Sequence, residues 1–337
     1  MKLRFYPYLI ELKEQFKISI NSRKTTPAVL TEIEHDGLIG YGEASLPPYL
    51  SEDQLSVCNF LKTVNLGPFN NPIDINKIID YVNSISDGNY AAKASIDIAL
   101  HDLLGKFLKK PLYQLLKINK KKKIYTSFTI GISEPEELKH KIRDSSGFKF
   151  LKVKLGTEHD KANILAIRNF TDRPLYVDVN QGWTDKYFAL DMINWLSERN
   201  VILIEQPLPK KYIEESRWLI ERTPLPIIAD ESFQTLSDLE IIKDLYSGIN
   251  IKLMKAGGIR NAMAMIIRAG ELNLKIMLGC MIETSCGITA ASHLSTLADW
   301  IDLDGAVLIS NDLFSGLKVR NGEIIISELP GIGVEKL

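Results

Sequence analysis

The sequence predicts an α/β fold: a modified (β/α)8 TIM barrel with an α+β capping domain that the N-terminal region and the C-terminal tail form together. From Ile124 onward, short apolar runs alternate with amphipathic helical stretches, an order that is typical of parallel βα units. Eight such runs are enough to close a barrel. The chain before Ile124 first alternates in strand fashion and then turns helical, which indicates a separate domain.

The eight apolar runs are, in order, IYTSFTI, FKFLKVKL, PLYVDVN, VILIEQP, LPIIADE, INIKLM, LKIMLGC and WIDLDG. In the N-terminal region, Asp36-Gly37 predicts a hairpin turn, and the alanine- and leucine-rich stretch 89–110 predicts a helix. A second hairpin, with its turn at Asn321-Gly322, follows the last run, and we expect it to join the N-terminal domain. The predicted domains are a capping domain at 1–118, a barrel at 119–310 and a returning tail at 311–337.

The composition limits the classes of function that the protein could have. The 337 residues are 45% hydrophobic and 25% charged, as in a soluble globular protein. A formal net charge of −1 offers no bulk basic surface, so we expect neither nucleic acid nor membrane as a partner. The three cysteines predict no disulfide framework, and the N-terminus lacks the apolar core of a signal peptide, so we expect a cytoplasmic protein. The lysine run 120–123 is interpreted as a solvated connection between domains.

Two lysines, Lys152 and Lys154, stand in the buried-looking run FKFLKVKLG, although lysine is rarely buried unless it is paired or functional. They would share one face of a strand, because side chains alternate in direction. A solvated edge strand would explain an isolated pair of this kind. However, other runs also close on polar residues: Asp178 and Asn180, Glu205, Asp230 and Glu231, Lys252, and Asp302 and Asp304. Because all strands of a barrel end at one mouth, these residues would converge on one site.

Three of the strand-end acids predict a metal site. Asp178, Glu205 and Asp230 supply only oxygen ligands, which suit a hard cation, and Mg2+ is the predicted cofactor. The absence of cysteine and histidine at these strand ends argues against zinc. The alternative is a set of acids that cap neighbouring helices.

The lysines predict acid/base chemistry. Lys154 and Lys252 would lie on the second and sixth strands, across the barrel from each other, so that one could remove a proton from a bound carbon and the other could return it to the opposite face. The base must be neutral, and we expect burial beside Lys152 and a divalent cation to lower its pKa. Lys152 could also help to stabilise an enolate oxygen. Taken alone, Lys252 would instead be interpreted as a lysine that extends its ammonium group to solvent.

Several motifs together resemble the enolase superfamily, and within it the muconate-lactonizing subgroup. The motifs that carry the resemblance are KVK, DVNQGW, IEQP, IADES, IKLMKAGGI and GCMIETSCG. The later motif DLDG is similar to that of the dipeptide epimerase branch, typified by L-Ala-D/L-Glu epimerases. The resemblance covers essentially the whole chain.

The resemblance implies roles for matching positions. It implies Mg2+ on the three acids, Lys154 and Lys252 as the acid/base catalysts, and Lys152 as an aid to the enolate. It further implies that Asn180 adjoins the metal site, that Glu231 orients a lysine, and that Thr129 contacts the substrate.

The substrate class rests on Asp302 and Asp304, which share a strand face. Two carboxylates in a closed pocket repel each other unless a cation joins them, and the α-ammonium group of a dipeptide is suitable. The alternative is a solvated acidic pair at the rim.

Two capping-domain loops, near NSRKTT at 21–26 and SLPPYLSED at 45–53, would contact the far side of the substrate. Arg23 or Lys24 could pair with an acidic side chain, as the basic residue does in relatives selective for a C-terminal Glu, although Asn21 could occupy that position instead. Met281 would contact the substrate from the barrel, and Cys280 is interpreted as a small packing residue.

The leading hypothesis is a Mg2+-dependent dipeptide epimerase: an isomerase that performs 1,1-proton transfer at the α-carbon of the C-terminal residue of a dipeptide such as L-Ala-L/D-Glu, as in peptidoglycan recycling. Alternatives within the subgroup are an N-acylamino acid racemase, an o-succinylbenzoate synthase and a muconate cycloisomerase. A Schiff-base barrel with a nucleophilic lysine and a binding protein without catalysis are alternatives from other classes. We also expect a homo-oligomer.

Overall fold

The N-terminal region of the computed structural model is a three-stranded antiparallel sheet followed by helices. The structure describes residues 1–18, 21–132 and 135–337, without the side chains of residues 18, 21, 135 and 136. The sheet contains β1 (Lys2–Ile18), β2 (Asn21–His35) and β3 (Leu38–Ser45) in that order. Asp36 and Gly37 have φ of 48° and 77° and connect β2 to β3, which confirms the predicted two-residue hairpin turn.

Four helices complete this region: α1 (Gln54–Thr63), α2 (Ile75–Ser84), α3 (Tyr90–Leu108) and α4 (Leu112–Leu115). The predicted helix 89–110 is confirmed as α3, most of whose residues are buried. Gly42 of β3 lets α3 lie directly on the sheet, because a Cβ atom there would collide with the carbonyl oxygen of Ser95.

The rest of the chain builds a parallel barrel. Its strands are β4 (Ser127–Ile130), β5 (Phe150–Lys154), β6 (Leu175–Asp178), β7 (Val201–Glu205), β8 (Ile227–Ala229), β9 (Gly248–Ile251), β10 (Lys275–Gly279) and β11 (Trp300–Asp302). Its helices are α5 (Pro135–Asp144), α6 (Asp160–Arg168), α7 (Lys186–Ser197), α8 (Ile213–Ile220), α9 (Leu239–Ile242), α10 (Leu253–Ala256), α11 (Ile259–Glu271) and α12 (Ser285–Ser292).

The eight strands lie side by side in sequence order, and every hydrogen-bonded neighbour pair is parallel. The ends of this sheet meet through side chains. Ser127 donates to Asp302 at 2.8 Å, and the backbone N–H of Thr129 donates to Asp304 at 2.6 Å. Each predicted apolar run overlaps one strand, so the predicted barrel is confirmed. After β11, the described chain has only a 3-10 turn, Gly305–Val307, where a regular barrel would continue into a helix.

The C-terminal tail contains β12 (Phe314–Ser315), β13 (Lys318–Arg320), β14 (Glu323–Ile325) and β15 (Glu335–Lys336). The predicted turn at Asn321-Gly322 is confirmed by their φ of 51° and 72° between β13 and β14.

The hairpin of β13 and β14 does not join the N-terminal domain as predicted. It lies against the barrel, where the N–H of Ile324 donates to the carbonyl of Ile124 at 2.8 Å, because the chain entering β4 offers free backbone groups. The segments on both sides of the hairpin reach the N-terminal region: before it, Asn311 accepts from the N–H of Glu11 at 2.8 Å, and beyond it, Lys336 pairs with Glu32 at 2.7 Å. The domain bounds at 118 and 310 stay predictions.

Across the described ranges, no helix is both long enough and apolar enough to cross a membrane.

Candidate active site

The two lysines of β5 point into the barrel and are almost completely buried, with exposures of 2% for Lys152 and 8% for Lys154. The Nζ atom of Lys152 lies 2.7 Å from Asp302, 2.7 Å from Glu205 and 3.1 Å from Asp178. The Nζ atom of Lys154 lies 2.5 Å from Asp178. The burial of both ammonium groups is therefore tolerated because carboxylates surround them, and the solvated edge strand does not apply.

The three acids of the predicted metal site come together. Asp178 and Glu205 are paired positions on β6 and β7, and Asp230 follows β8. One carboxylate oxygen from each of the three lies within 4.8 Å of the others, and all three residues are buried. An all-oxygen set of this size fits a hard divalent cation.

Lys252 stands at the end of β9, four strands away from β5 in a ring of eight, and therefore on the opposite side of the barrel. It is 5% exposed, and its Nζ atom lies 2.7 Å from Asp230.

A second lysine at this acid was not predicted. Lys255 donates to Asp230 Oδ1 at 2.5 Å, to the carbonyl of Asp230 at 2.6 Å and to the carbonyl of Phe233 at 3.0 Å. A signal was present in the sequence, because residues three positions apart share one side of a helical turn and Lys255 follows Lys252 at that spacing.

Asn250 is another residue that the sequence analysis missed. Its Nδ2 atom donates to Glu205 at 2.8 Å inside the barrel. Its position two residues before Lys252 on the same strand is the signal that could have found it.

Carboxylates dominate the electrostatics of Lys152 and Lys252. Burial opposes the charged form of Lys152, but Asp302, Glu205 and Asp178 outweigh it and hold its pKa well above the usual range. For Lys252, burial is likewise outweighed, chiefly by Asp230, and the pKa is raised. Both ammonium groups thus face carboxylates directly, and the neutral base beside Lys152 and a divalent cation stays a prediction.

Several acids of the same cluster hold protons more tightly than usual. Burial, with Asp178 adding to it, raises the pKa of Glu205 to about 7. Burial and the neighbouring Asp302 raise the pKa of Asp304 to about 7. Burial and Asp230 raise the pKa of Glu231 to about 7. Negative charge is therefore crowded at this end of the barrel.

Asn180 and Glu231 lie beside the metal-site acids. The Nδ2 atom of Asn180 donates to Glu231 at 3.1 Å, and its backbone N–H donates to Asp178 at 3.0 Å. The direct contact of Glu231 in the described structure is thus with this amide rather than with a lysine.

One cavity joins most of the predicted residues. It is lined by Arg23, Tyr49, Thr129, Lys152, Lys154, Asn180, Lys252, Cys280, Met281, Asp302 and Asp304, together with the apolar side chains of Phe16, Ile282 and Leu308. Both acids of the DLDG motif are buried here, so the rim position is excluded. Cys280 is half-buried, and desolvation raises the pKa of its thiol well above the usual range, which suits a packing residue.

The start of β2, where a loop was predicted, presents one basic residue to the cavity. The guanidinium of Arg23 lies 5.8 Å from the ring centre of Phe16 and 5.7 Å from that of Tyr49, while Lys24 is exposed and does not line the cavity. The side chain of Asn21 lies outside the described residues. Tyr49 belongs to the predicted second loop, whereas Phe16 was not predicted as a site residue, because its position depends on how the capping domain closes over the barrel.

A barrel whose strand ends bring three buried carboxylates together between two opposed sets of lysines defines the class of protein. Residues 136–336 match the family model "Enolase C-terminal domain-like", and residues 7–117 match "Mandelate racemase / muconate lactonizing enzyme, N-terminal domain". The chain belongs to this family, and the resemblance to the enolase superfamily is confirmed.

Individual relatives cover nearly the whole chain. An L-Ala-D/L-Glu epimerase of Bacteroides thetaiotaomicron is 50% identical over all of this chain and 88% of its own length. The crystal structure of a dipeptide epimerase from Enterococcus faecalis V583, complexed with Mg and L-Leu-L-Tyr, has a TM-score of 0.92 and 33% identity, covering 99% of this chain and 98% of that one. An N-succinyl Arg/Lys racemase of Bacillus cereus has a TM-score of 0.91 and 30% identity, covering 99% and 95%. With relatives that are epimerases and racemases, this protein is an isomerase.

Proposed function

We propose that this isomerase is a Mg2+-dependent dipeptide epimerase. It would move a proton at the α-carbon of the C-terminal residue of a dipeptide such as L-Ala-L/D-Glu, through an enolate. The observation that carries the proposal is that Lys154 and Lys252, on opposite strands, line one cavity with Asp302 and Asp304. The epimerases among the relatives support the same reaction.

The acids Asp178, Glu205 and Asp230 would hold the Mg2+ ion. In the described residues of this cluster, six carboxyl groups accompany four lysines, so full ionisation would leave an excess of two negative charges. The six acids are Asp178, Glu205, Asp230, Glu231, Asp302 and Asp304, and the four lysines are Lys152, Lys154, Lys252 and Lys255. When bound, Mg2+ would balance this charge, stabilise the enolate oxygens and compete with the lysines for the carboxylates.

The lysines would divide the proton transfer. Lys154 would exchange a proton with the α-carbon on one face, and Lys252 would do so on the other, because the two side chains enter from opposite strands. Lys152 is 2% exposed and would remain an ammonium group that donates to the developing enolate. Three lysines would thus have two different tasks.

The acids of β11 would bind the free ammonium group of the dipeptide. Asp302 already accepts from Lys152 and Ser127, whereas the bond that Asp304 accepts at 2.6 Å comes from the neutral backbone N–H of Thr129. Unlike Asp302, Asp304 therefore accepts no hydrogen bond from a lysine in the described residues, which leaves it to pair with a cationic substrate. At the other end, Arg23 would pair with the carboxylate of a C-terminal Glu, and Thr129 and Met281 would contact the substrate between these ends.

An N-acylamino acid racemase is the second candidate. Lys152 pairs with Asp302 and balances the charge of that carboxylate, so the substrate would need no ammonium group there. This contact favours the racemase. The racemase relative from Bacillus cereus is similar in fold as well.

A screen of free and N-acetylated dipeptides in deuterium oxide would test the proposal. Mass spectrometry reports deuterium uptake at the α-carbon whichever direction the equilibrium favours. We expect uptake with free dipeptides, most strongly Ala-Glu, loss of activity with chelator and recovery with Mg2+. Equal turnover of the N-acetylated set would favour the racemase, and full activity without metal would contradict the metal role. The homo-oligomer, the cytoplasmic location and the part in peptidoglycan recycling stay predictions of the sequence.

A further inference from the structure

A buried acid of the capping domain lies outside the cluster described above. Glu43, on β3, is 0% exposed, yet it contacts the barrel. Its carboxylate accepts from the backbone N–H of Thr284 at 2.9 Å, from the Thr284 hydroxyl at 2.5 Å and from the N–H of Gly287 at 3.2 Å. Glu43 therefore caps the first turn of α12 from another part of the chain, where a negative charge is favourable.

The same edge of the capping domain makes two further contacts with the barrel segment before α12. The hydroxyl of Ser45 donates to the carbonyl of Ile282 at 2.6 Å, and the hydroxyl of Tyr49 donates to Met281 Sδ at 3.1 Å. We call residues 280–284 the pocket loop, because Cys280, Met281 and Ile282 line the cavity. Three capping-domain side chains thus hold the loop that forms one wall of the site.

Inside the pocket loop, a second buried acid completes the arrangement. Glu283 is 1% exposed and accepts from the N–H of Met281 at 2.7 Å. Its other oxygen lies against Gly287, where a Cβ atom would collide with it. Burial, with Glu43 adding to it, raises the pKa of Glu283 to about 8, so the two acids act on each other electrostatically. Lys252 opposes this rise, and Asp312 faces Glu43.

We propose that Glu43 is a positioning residue, which sets the pocket loop against the substrate through α12 and Glu283. It would touch neither the substrate nor the reacting carbon. Loss of this support would loosen contacts made equally in the ground state and the transition state, so KM should rise while kcat changes little. The kinetic part of this inference rests on the proposed dipeptide epimerase activity.

The test is Glu43→Gln in the full chain, with Glu32→Gln as the matched control. The amide places a donor where the carboxylate accepts from backbone N–H groups, so at least one charged hydrogen bond is lost. We expect KM for Ala-Glu to rise about ten- to hundredfold, with kcat within about threefold of wild type. Glu32 is also a buried capping-domain acid, but it pairs with Lys336 at 2.7 Å, so its variant should keep the wild-type KM.

A second readout does not depend on activity. Hydrogen–deuterium exchange of the peptide that covers 280–287 should accelerate in Glu43→Gln and stay at the wild-type rate in Glu32→Gln. If KM stays within about twofold of wild type and this exchange is unchanged, the inference is overturned, even where the melting temperature falls, because Glu43 would then be structural only.

Ser45→Ala provides the second variant where Glu43→Gln does not fold. It removes only the bond to Ile282, and we expect KM to rise about two- to tenfold with faster exchange at 280–287. Unchanged values for Ser45→Ala would equally overturn the positioning role. A wild-type protein that turns over no dipeptide would contradict the proposed function alone, since the exchange measurement still decides on Glu43.

Discussion

Asp304→Asn is the sharpest test of how the substrate is recognised. Asp304 is 3% exposed, and the hydrogen bonds it accepts come from Thr129, at 2.6 Å from the backbone N–H. Asp302 is less informative, because its removal would also free Lys152. Asparagine has the size of aspartate and can still accept from Thr129, so the substitution removes the charge and preserves the local structure.

The expected magnitude follows from one charge-assisted hydrogen bond. Losing the charged partner of the substrate ammonium should cost about 1.5–3 kcal/mol. This corresponds to a fall of about ten- to hundredfold in kcat/KM for a free dipeptide. An N-acetylated amino acid has no ammonium group at this place, so its residual turnover should not fall.

The assay compares kcat/KM for Ala-Glu and N-acetyl-Glu in wild type, Asp304→Asn and the control Asp36→Asn. Asp36 lies in the exposed turn between β2 and β3, so its variant should match wild type. If Asp304→Asn lowers both substrates by the same factor, Asp304 supports the fold of the cavity and does not recognise the ammonium group.

Three further predictions concern the bases, the side-chain selectivity and the response to pH. Lys252→Ala should abolish epimerisation but retain α-proton exchange with solvent for one stereoisomer, because Lys154 still serves one face; normal epimerisation by this variant would exclude Lys252 as a base. Arg23→Gln should lower kcat/KM for Ala-Glu about tenfold or more relative to kcat/KM for Ala-Ala. The neighbouring control, Lys24→Gln, should leave kcat/KM for both dipeptides unchanged. Equal effects of the two variants would contradict a contact by Arg23. Burial lowers the pKa of His293 to about 4, so stability should be lost as the pH falls from about 6.5 toward 4, where the unfolded chain alone binds the proton. His293→Gln should remove about 3 kcal/mol of this acid dependence, measured by denaturant unfolding at several pH values, and an unchanged dependence would exclude His293 as its source.

The barrel was predictable because its strands carry a strong local signal. Each strand is a short apolar run that is buried on both faces, and polar residues mark the end that opens on the mouth. Both hairpin turns were equally local, since Asp-Gly and Asn-Gly favour the left-handed backbone that a two-residue turn requires. The position of the second hairpin against Ile124 was not predictable, because backbone pairing between distant segments leaves no pattern in either one.

In the candidate site too, some features were predictable from the sequence and others depended on the fold. By itself, the sequence determined which side chains reach the barrel mouth, because strand alternation and strand ends assign Lys154, Asp178 and Lys252 to it without any knowledge of packing. Only the tertiary structure decided what each group faces. Three contacts join separate elements of the fold: Lys255 binds Asp230, Arg23 rather than Lys24 lines the cavity, and Glu43 accepts hydrogen bonds from Thr284. Hydrogen bonds and charge interactions act over a few ångströms in space, and the chain brings such groups together only when it closes.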